Sequence, residues 1–261
     1  KLVTTLTSLQ AFTDAPRVPD RLRLMTFNMQ VGIRTGGYHH YLLRSWQHFI
    51  PFKARQSALH SIAKLVSPFD IVALQEADGG SWRSGRHNQI EQIAHLAKFD
   101  HWHHQVNRNM GSIAQHSNGV LCRQTPFEIE KHPLPGLPGR GLMLLKFGTP
   151  DNPLVVAITH LALSKQTQFA QLDFLTEALA DAKRVVIMGD LNQEGEWLLQ
   201  QSALKTLNLH PIADELPTFP SWQPTRGIDH ILVSDNIPLH RIAVIDHPQS
   251  DHLPVAAEIG V

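Results

Sequence analysis

Five hydrophobic segments of this chain end in a carboxylate, an amide or an imidazole, and those side chains are where chemistry could be done. Asn28 lies at the end of "RLRLMTFNMQ" and Glu76 near the end of "DIVALQEAD". His160 follows "LVVAIT", Asp190 and Asn192 follow "RVVIMG", and Asp229 and His230 belong to "IDHILVS". A sixth cluster, Ser250-Asp251-His252, opens the last apolar stretch. Glu and Asp carboxylates with an Asn amide oxygen form a hard-oxygen set suited to Mg²⁺ or Mn²⁺, whereas zinc sites recruit Cys or several His. An imidazole beside a carboxylate can move a proton. Each residue taken singly has an ordinary explanation: a strand-end Asn favours turns, an exposed Glu is solvated, and Gly-Asp is a turn signal. The repetition carries the inference, because polar groups placed where strands leave a sheet gather one site from distant sequence.

The elements that must position these residues are mostly strands. "RLRLMTFNMQ" alternates polar and apolar residues like a strand whose tip reaches solvent. "ARQSALHSIAKLV" has helical apolar spacing ending before Pro68, and "HNQIEQIAHLAK" reads as a second helix. Strands are expected at "HWHHQV", "NGVLCR", "RGLMLLKF", "LVVAITHLAL", "RVVIMGDLN", "IDHILVS", "HRIAVID" and "HLPVAAEIG". A helix is expected from about Thr167 to Ala180, and weaker helices from Glu196 to Leu207. Residues 1–20, rich in Thr, Ser and Pro, read as an arm or linker, and 21–261 as a single catalytic domain. This mixture fits two sheets packed face to face with helices outside both, and equally an ordinary three-layer α/β fold.

The segments "TFNMQ", "LQEAD", "ITHLA", "GDLN", "IDHILV" and "SDHLPV", running in that order from Met25 to Val255, resemble the signature motifs of the endonuclease/exonuclease/phosphatase superfamily. "NGVLCR" resembles the family strand between the second and third motifs and brings in Asn118. The resemblance implies a four-layer α/β/β/α sandwich with two packed, mainly antiparallel or mixed β-sheets. It also implies a divalent-metal-dependent phosphoester hydrolase using Mg²⁺ or Mn²⁺ and a metal-activated water. By the same resemblance Glu76 is the principal metal ligand, Asn28 its amide neighbour, and Asp251 a further ligand, direct, through water, or only where a second ion is present. Asp190 and Asn192 correspond to the pair that positions the water and contacts phosphate, and His160 to the imidazole serving the phosphoryl oxygens or the leaving group. Asp229 would hold His252, marked by the comparison as the general base, although the residues themselves leave Asp190 and His252 both open as proton acceptors. Gln30 departs from family members that carry an acid two positions after the first-strand Asn, which leaves one ion or two undecided.

Composition narrows the substrate less. Lys and Arg total 23 and Asp and Glu total 23, so no global positive field marks a nucleic-acid ligand. Arg140 and Arg226, each just before an expected strand, are the candidate substrate-binding arginines beside Asn118. Tyr38, His39, His40, Tyr41, Arg44, Trp46 and His48 could stack on bases, though packing or a covering loop is the stronger reading. "HWHHQ" is set aside as the main metal site, since adjacent residues of a strand face opposite ways. The leading reading is a nuclease-type phosphodiesterase. A phosphodiesterase or phosphatase acting on a lipid headgroup or small phosphate ester comes second, and an inactive binding module third. The partner expected is the phosphoester itself, nucleic acid being one candidate; no obligate protein partner is evident. Cys122 cannot form an internal disulfide and no apolar run reaches the roughly 20 residues of a membrane span, so a soluble protein is expected, with a reducing, cytoplasmic setting favoured and export left open.

Overall fold

The computed structural model describes residues 6–30, 52–78, 88–109, 115–136, 138–212 and 216–261. A seven-stranded sheet contains β1 (Leu6–Thr7), β2 (Arg21–Asn28), β3 (Ile71–Asp78), β4 (His101–Asn109), β5 (Gln115–Cys122), β11 (Leu239–Ile245) and β12 (Val255–Gly260), in the order β1-β11-β12-β2-β3-β5-β4. A five-stranded sheet contains β6 (Glu128–Pro133), β7 (Gly141–Phe147), β8 (Leu154–His160), β9 (Arg184–Asp190) and β10 (Asp229–Val233), in the order β10-β9-β8-β7-β6. Both sheets are mixed: β2 runs parallel to β3 and β8 parallel to β9, while β12 and β10 pair antiparallel with β2 and β9.

Side-chain alternation sorts the apolar residues into three cores and hence four layers. Leu22 and Leu24 of β2, Ile71 of β3, Val156 and Ile158 of β8, and Val186 and Met188 of β9 fill the space between the sheets. The intervening Met25 and Phe27 turn outward to α2 (Phe52–Val66) and α3 (Gln89–Ala97), where Leu59, Ile62 and Ile93 meet them. On the far side Val185 and Ile187 face α4 (Lys165–Ala178) and α5 (Gly195–Gln201) through Leu172, Leu175 and Leu198. The four-layer arrangement implied by the motifs is therefore the one observed. Caps set where the helices begin: Asn88 Oδ1 accepts the Ile90 and Glu91 N–H groups, and Ser164 Oγ accepts that of Thr167. Gly119 lets α3 lie close on β5, since a Cβ there would stand 2.2 Å from Ile90 Cδ1.

Three local expectations change. β2 is buried along nearly its whole length, and its tip at Asn28 is buried rather than reaching solvent, because both of its faces are covered and its polar residues are paired inside. Within the stretch expected to be an arm, β1 pairs with β11 and α1 (Leu9–Thr13) buries Phe12 beneath the Arg241 guanidinium, 3.9 Å from the ring centroid. Two strand residues and five helical ones are too few to leave a periodic signal. β6 was not anticipated either: as an edge strand with a single aliphatic residue, Ile129, it is joined by backbone pairing to β7 rather than by an apolar face. Cys122 is fully buried in the inter-sheet core, and burial pushes its thiol up to about 12. Among the described residues no helix is long and apolar enough to cross a membrane.

Candidate active site

The alternation that builds the inter-sheet core also delivers the polar residues. Continuing each inward-facing row, Leu22 and Leu24 lead to Asn28, Val156 and Ile158 to His160, Val186 and Met188 to Asp190, and Ile231 and Val233 back to Asp229. Cross-strand register aligns the last three, His160 opposite Asp190 and Asp190 opposite Asp229. All four are at most 3% exposed, so the apolar core ends abruptly in a buried polar floor.

Glu76 needs a device of its own. Strict alternation would place it with Leu74 on the helix-facing side. Between Leu74 and Ala77, however, the register with β5 shifts by one residue, and Glu76 adopts a left-handed backbone with φ 56°. Leu74 and Ala77 both remain in the helix-side core. The bulge thus lets Glu76 leave that face, and holding a non-glycine residue there costs on the order of 1 kcal/mol. Gly189 is a second special position: its φ is 153°, and a Cβ would lie 1.9 Å from the Thr159 carbonyl oxygen. Only glycine lets β9 approach β8 closely enough to set Asp190 beside His160.

Asp190 is the hub. Its Oδ2 accepts from Asn28 Nδ2 at 3.0 Å and faces His160 Nε2 at 3.4 Å and His252 Nε2 at 3.7 Å; its Oδ1 accepts the Asn192 N–H at 3.0 Å. The Gln30 N–H donates to Asn28 Oδ1 at 3.1 Å, which fixes the amide so that its nitrogen faces Asp190. An Arg140 guanidinium nitrogen lies 3.0 Å from His160 Nδ1 and can only donate, so a neutral His160 carries its proton on Nε2, toward Asp190. Across the floor, His252 Nδ1 donates to Asp229 Oδ2 at 2.8 Å. Burial alone would lower the His252 pKa, but the Asp229 and Asp190 carboxylates outweigh it and raise it, which favours the protonated ring. Burial and the Asp229 carboxylate push Asp190 up. Burial likewise raises Asp251, and the charge of Glu76 adds to the effect against that of His252.

The oxygens of Glu76, Asn28 and Asp251 suit a divalent ion by type, and the mutual repulsion of two neighbouring carboxylates is what a cation would relieve. Asp190, Asp229 and His252 also bring ligand-type atoms within 4.8 Å of one another. There, however, Asp229 Oδ2 and His252 Nδ1 already satisfy each other, so this trio is better suited to handling protons and charge. Asn118 is buried and donates to the Gly141 carbonyl at 3.3 Å, tying β5 to β7 across the two sheets. Asn192 Nδ2 donates to the Leu161 carbonyl at 2.9 Å. The Arg226 side chain is exposed, and this residue meets the site through its backbone, whose carbonyl accepts the Thr218 and Phe219 N–H groups. His230 points away from the floor, its Nε2 meeting the Gln193 carbonyl at 2.7 Å. Tyr38, His39, His40, Tyr41, Arg44, Trp46 and His48 lie outside the described residues. One contributor escaped the sequence reading: Thr218 Oγ1 donates to Asp229 Oδ2 at 2.5 Å from inside a Pro-rich loop.

Comparisons with known proteins bear on the fold and the family. Curated protein sequences gave no match. Among solved structures the chain is similar to an endonuclease/exonuclease/phosphatase from Beutenbergia cavernae, at 20% identity over 93% of this chain and 72% of that one, with a TM-score of 0.68. A mannosyl-6-phosphatase from Bacteroides thetaiotaomicron matches at 15% identity over 92% and 100%, with a TM-score of 0.67. Sphingomyelinase C from Streptomyces griseocarneus matches at 16% over 92% and 99%, with a TM-score of 0.64. These identities carry the fold. The model of the Endonuclease/Exonuclease/phosphatase family matches residues 25–252, all but the two ends of the chain, and so this chain belongs to that family of metal-dependent phosphoester hydrolases.

Proposed function

We propose that the chain is a nuclease-type phosphodiesterase in which Asp190 accepts the water proton and His252 works as a cation, the reverse of the base assignment drawn from family resemblance. The observation that carries this reading is the set of carboxylates around one imidazole. Asp229 lies 2.8 Å from Nδ1, and Asp190 and Asp251 lie 3.7 and 4.0 Å from Nε2. Carboxylates on both sides of the ring favour its protonated form, and a protonated imidazole does not serve as the base. It can stabilise charge gathering on the phosphoryl oxygens and return a proton to the leaving oxygen. Asp190, buried and raised, is poised to take the proton, and such assistance is worth about a hundredfold to ten-thousandfold in rate. The Asn192 N–H and Asn28 Nδ2 orient that carboxylate, with the Nε2–H of His160 facing it, while Arg140 offers donors to phosphoryl oxygens. Asn118 supports the Gly141 carbonyl beside Arg140, and Arg226 stands exposed to reach a flanking part of the substrate.

Glu76, Asn28 and Asp251 would hold Mg²⁺ or Mn²⁺, which when bound supplies Lewis acidity at a phosphoryl oxygen and lowers the pKa of a bound water. Charge balance favours a diester. Among the described residues Glu76, Asp190, Asp229 and Asp251 face two fixed cations, Arg140 and His252. One divalent ion brings that set to neutrality, so the single charge of a diester adds less repulsion than the two charges of a terminal phosphate. Nucleic-acid backbones meet this requirement. So does a lipid-headgroup diester, and the fold shared with sphingomyelinase C supports that as the second reading.

The test is a Mg²⁺- and Mn²⁺-dependent panel of bis(p-nitrophenyl) phosphate, p-nitrophenyl phosphate, duplex and single-stranded DNA, RNA, sphingomyelin and inositol phosphates. Hydrolysis of the synthetic diester and of a nucleic acid is expected. Preference for the monoester would overturn the diester reading, and turnover of sphingomyelin alone would select the second.

A further inference from the structure

We infer that Thr218 is a positioning residue for the hydrolysis: its hydroxyl holds the Asp229 carboxylate in the orientation that faces His252. The inference rests on the role proposed for the Asp229–His252 pair. A carboxylate accepts only, so the 2.5 Å contact between Thr218 Oγ1 and Asp229 Oδ2 is a hydrogen bond donated by the threonine. That same Oδ2 accepts from His252 Nδ1 at 2.8 Å. Asp229 Oδ1 is buried and accepts no hydrogen bond among the described residues. Both donors therefore load one oxygen, and the bond from Thr218 reinforces the inequality that fixes which oxygen faces His252. Thr218 is itself fully buried, so water does not compete for its hydroxyl, and its branched side chain is stiff.

The loop carrying Thr218 is tied to both members of the pair. The Thr218 N–H donates to the Arg226 carbonyl at 2.9 Å, just ahead of β10, and the Thr218 carbonyl accepts the Leu253 N–H at 2.9 Å, just after His252. Ser221 continues the clamp: its N–H donates to the Asp251 carbonyl at 2.8 Å and its hydroxyl to the Ser250 carbonyl at 2.6 Å. The Phe219 ring packs on the His252 ring at 5.0 Å between centroids. The backbone of residues 218–221 thus sets where the 250–252 turn lies, and the Thr218 hydroxyl sets how the carboxylate meets it.

The experiment compares Thr218→Val, which removes the hydroxyl, with Thr218→Ser, which keeps it. The first readout needs no substrate: the hydrogen-bonded Nδ1 proton of His252 in the ¹⁵N-labelled protein, assigned by its absence in His252→Ala. It is expected to be sharp in the wild type and in Thr218→Ser, and broadened or lost in Thr218→Val. The second readout is steady-state hydrolysis of bis(p-nitrophenyl) phosphate with Mn²⁺. Thr218→Val should lower kcat by about ten- to a hundredfold, with KM within about twofold of wild type, and Thr218→Ser should restore most of the loss. An unchanged His252 signal and kcat in a folded Thr218→Val protein would overturn the inference. So would a Thr218→Ser variant no better than Thr218→Val, or a loss confined to KM. Should the valine variant not fold, Thr218→Ala takes its place in the same comparison. If the wild type leaves the diester untouched, the diester reading fails, while the proton signal still decides the part played by Thr218.

Discussion

Two buried acidic sites in this chain, one a single carboxylate and the other a cluster, are built on opposite terms. Glu258 of β12 lies among three arginines, with Arg21, Arg23 and Arg241 at 2.9, 3.3 and 3.7 Å. Burial alone would raise its carboxyl, yet the hydrogen bonds from Arg21 and Arg23 hold it below the ordinary range. Glu76, Asp190, Asp229 and Asp251 instead share Arg140 and His252, and burial drives Asp190 and Asp251 up. The first group has cations to spare and serves stability. The second is short of positive charge, the condition under which a buried site recruits a cation from solution.

The largest way to break this comparison is to withhold that cation. Hydrolysis in excess chelator is expected to fall to background and to return with Mg²⁺ or Mn²⁺, with circular dichroism unchanged throughout; full activity in chelator would remove the metal from the account. Next in size, Asp190→Asn should lower kcat by about a hundredfold to ten-thousandfold. His252→Ala and Asp229→Asn should each lower kcat strongly, and the double variant much less than the product of the two, because the pair acts as one unit. Strictly multiplicative losses, with folding intact, would show the two residues to be independent.

The arginine-bound group answers to stability instead. Glu258→Gln should cost about 2 kcal/mol in denaturant unfolding while leaving kcat unchanged, since it weakens charge-assisted hydrogen bonds far from the floor of the site. The sign with pH follows from the depressed carboxyl. Its contribution is complete above the ordinary value of 4.5 and is lost as pH falls through the lower folded value. Wild-type melting temperature should therefore drop more steeply in that acid window than that of Glu258→Gln, and parallel curves would remove Glu258 from the linkage. The smallest effect has the opposite sign. Asp251→Asn, measured in chelator, should raise stability by about 1 kcal/mol by thinning the crowded carboxylates, and should lose the further stabilisation that Mn²⁺ gives the wild type.

The parts of the site legible in the sequence are those where alternation runs unbroken into a polar end. Asn28, His160, Asp190 and Asp229 sit where the inward rows of β2, β8, β9 and β10 carry them, and the order of the motifs gave the four layers. Glu76 was picked out by its motif, but its placement depends on a one-residue register shift that alternation cannot express. Thr218 left no trace, because a hydroxyl in "LPTFPSWQPTRG" looks like any loop residue until the fold brings it against a carboxylate eleven positions later. β6 was invisible for a related reason: an edge strand held by backbone pairing need not advertise an apolar face.

The hydrogen bond from Asn28 to Asp190 spans 162 positions of the chain, and the imidazole that completes the floor comes from residue 252. During synthesis β2 therefore waits for β9, and both wait for the turn of residues 250–252. A ribosome-bound chain shorter than that has no complete site. On the proposed reading, competence to cleave appears once the 250–252 turn has docked, so the order of residues along the chain also times when the site is assembled.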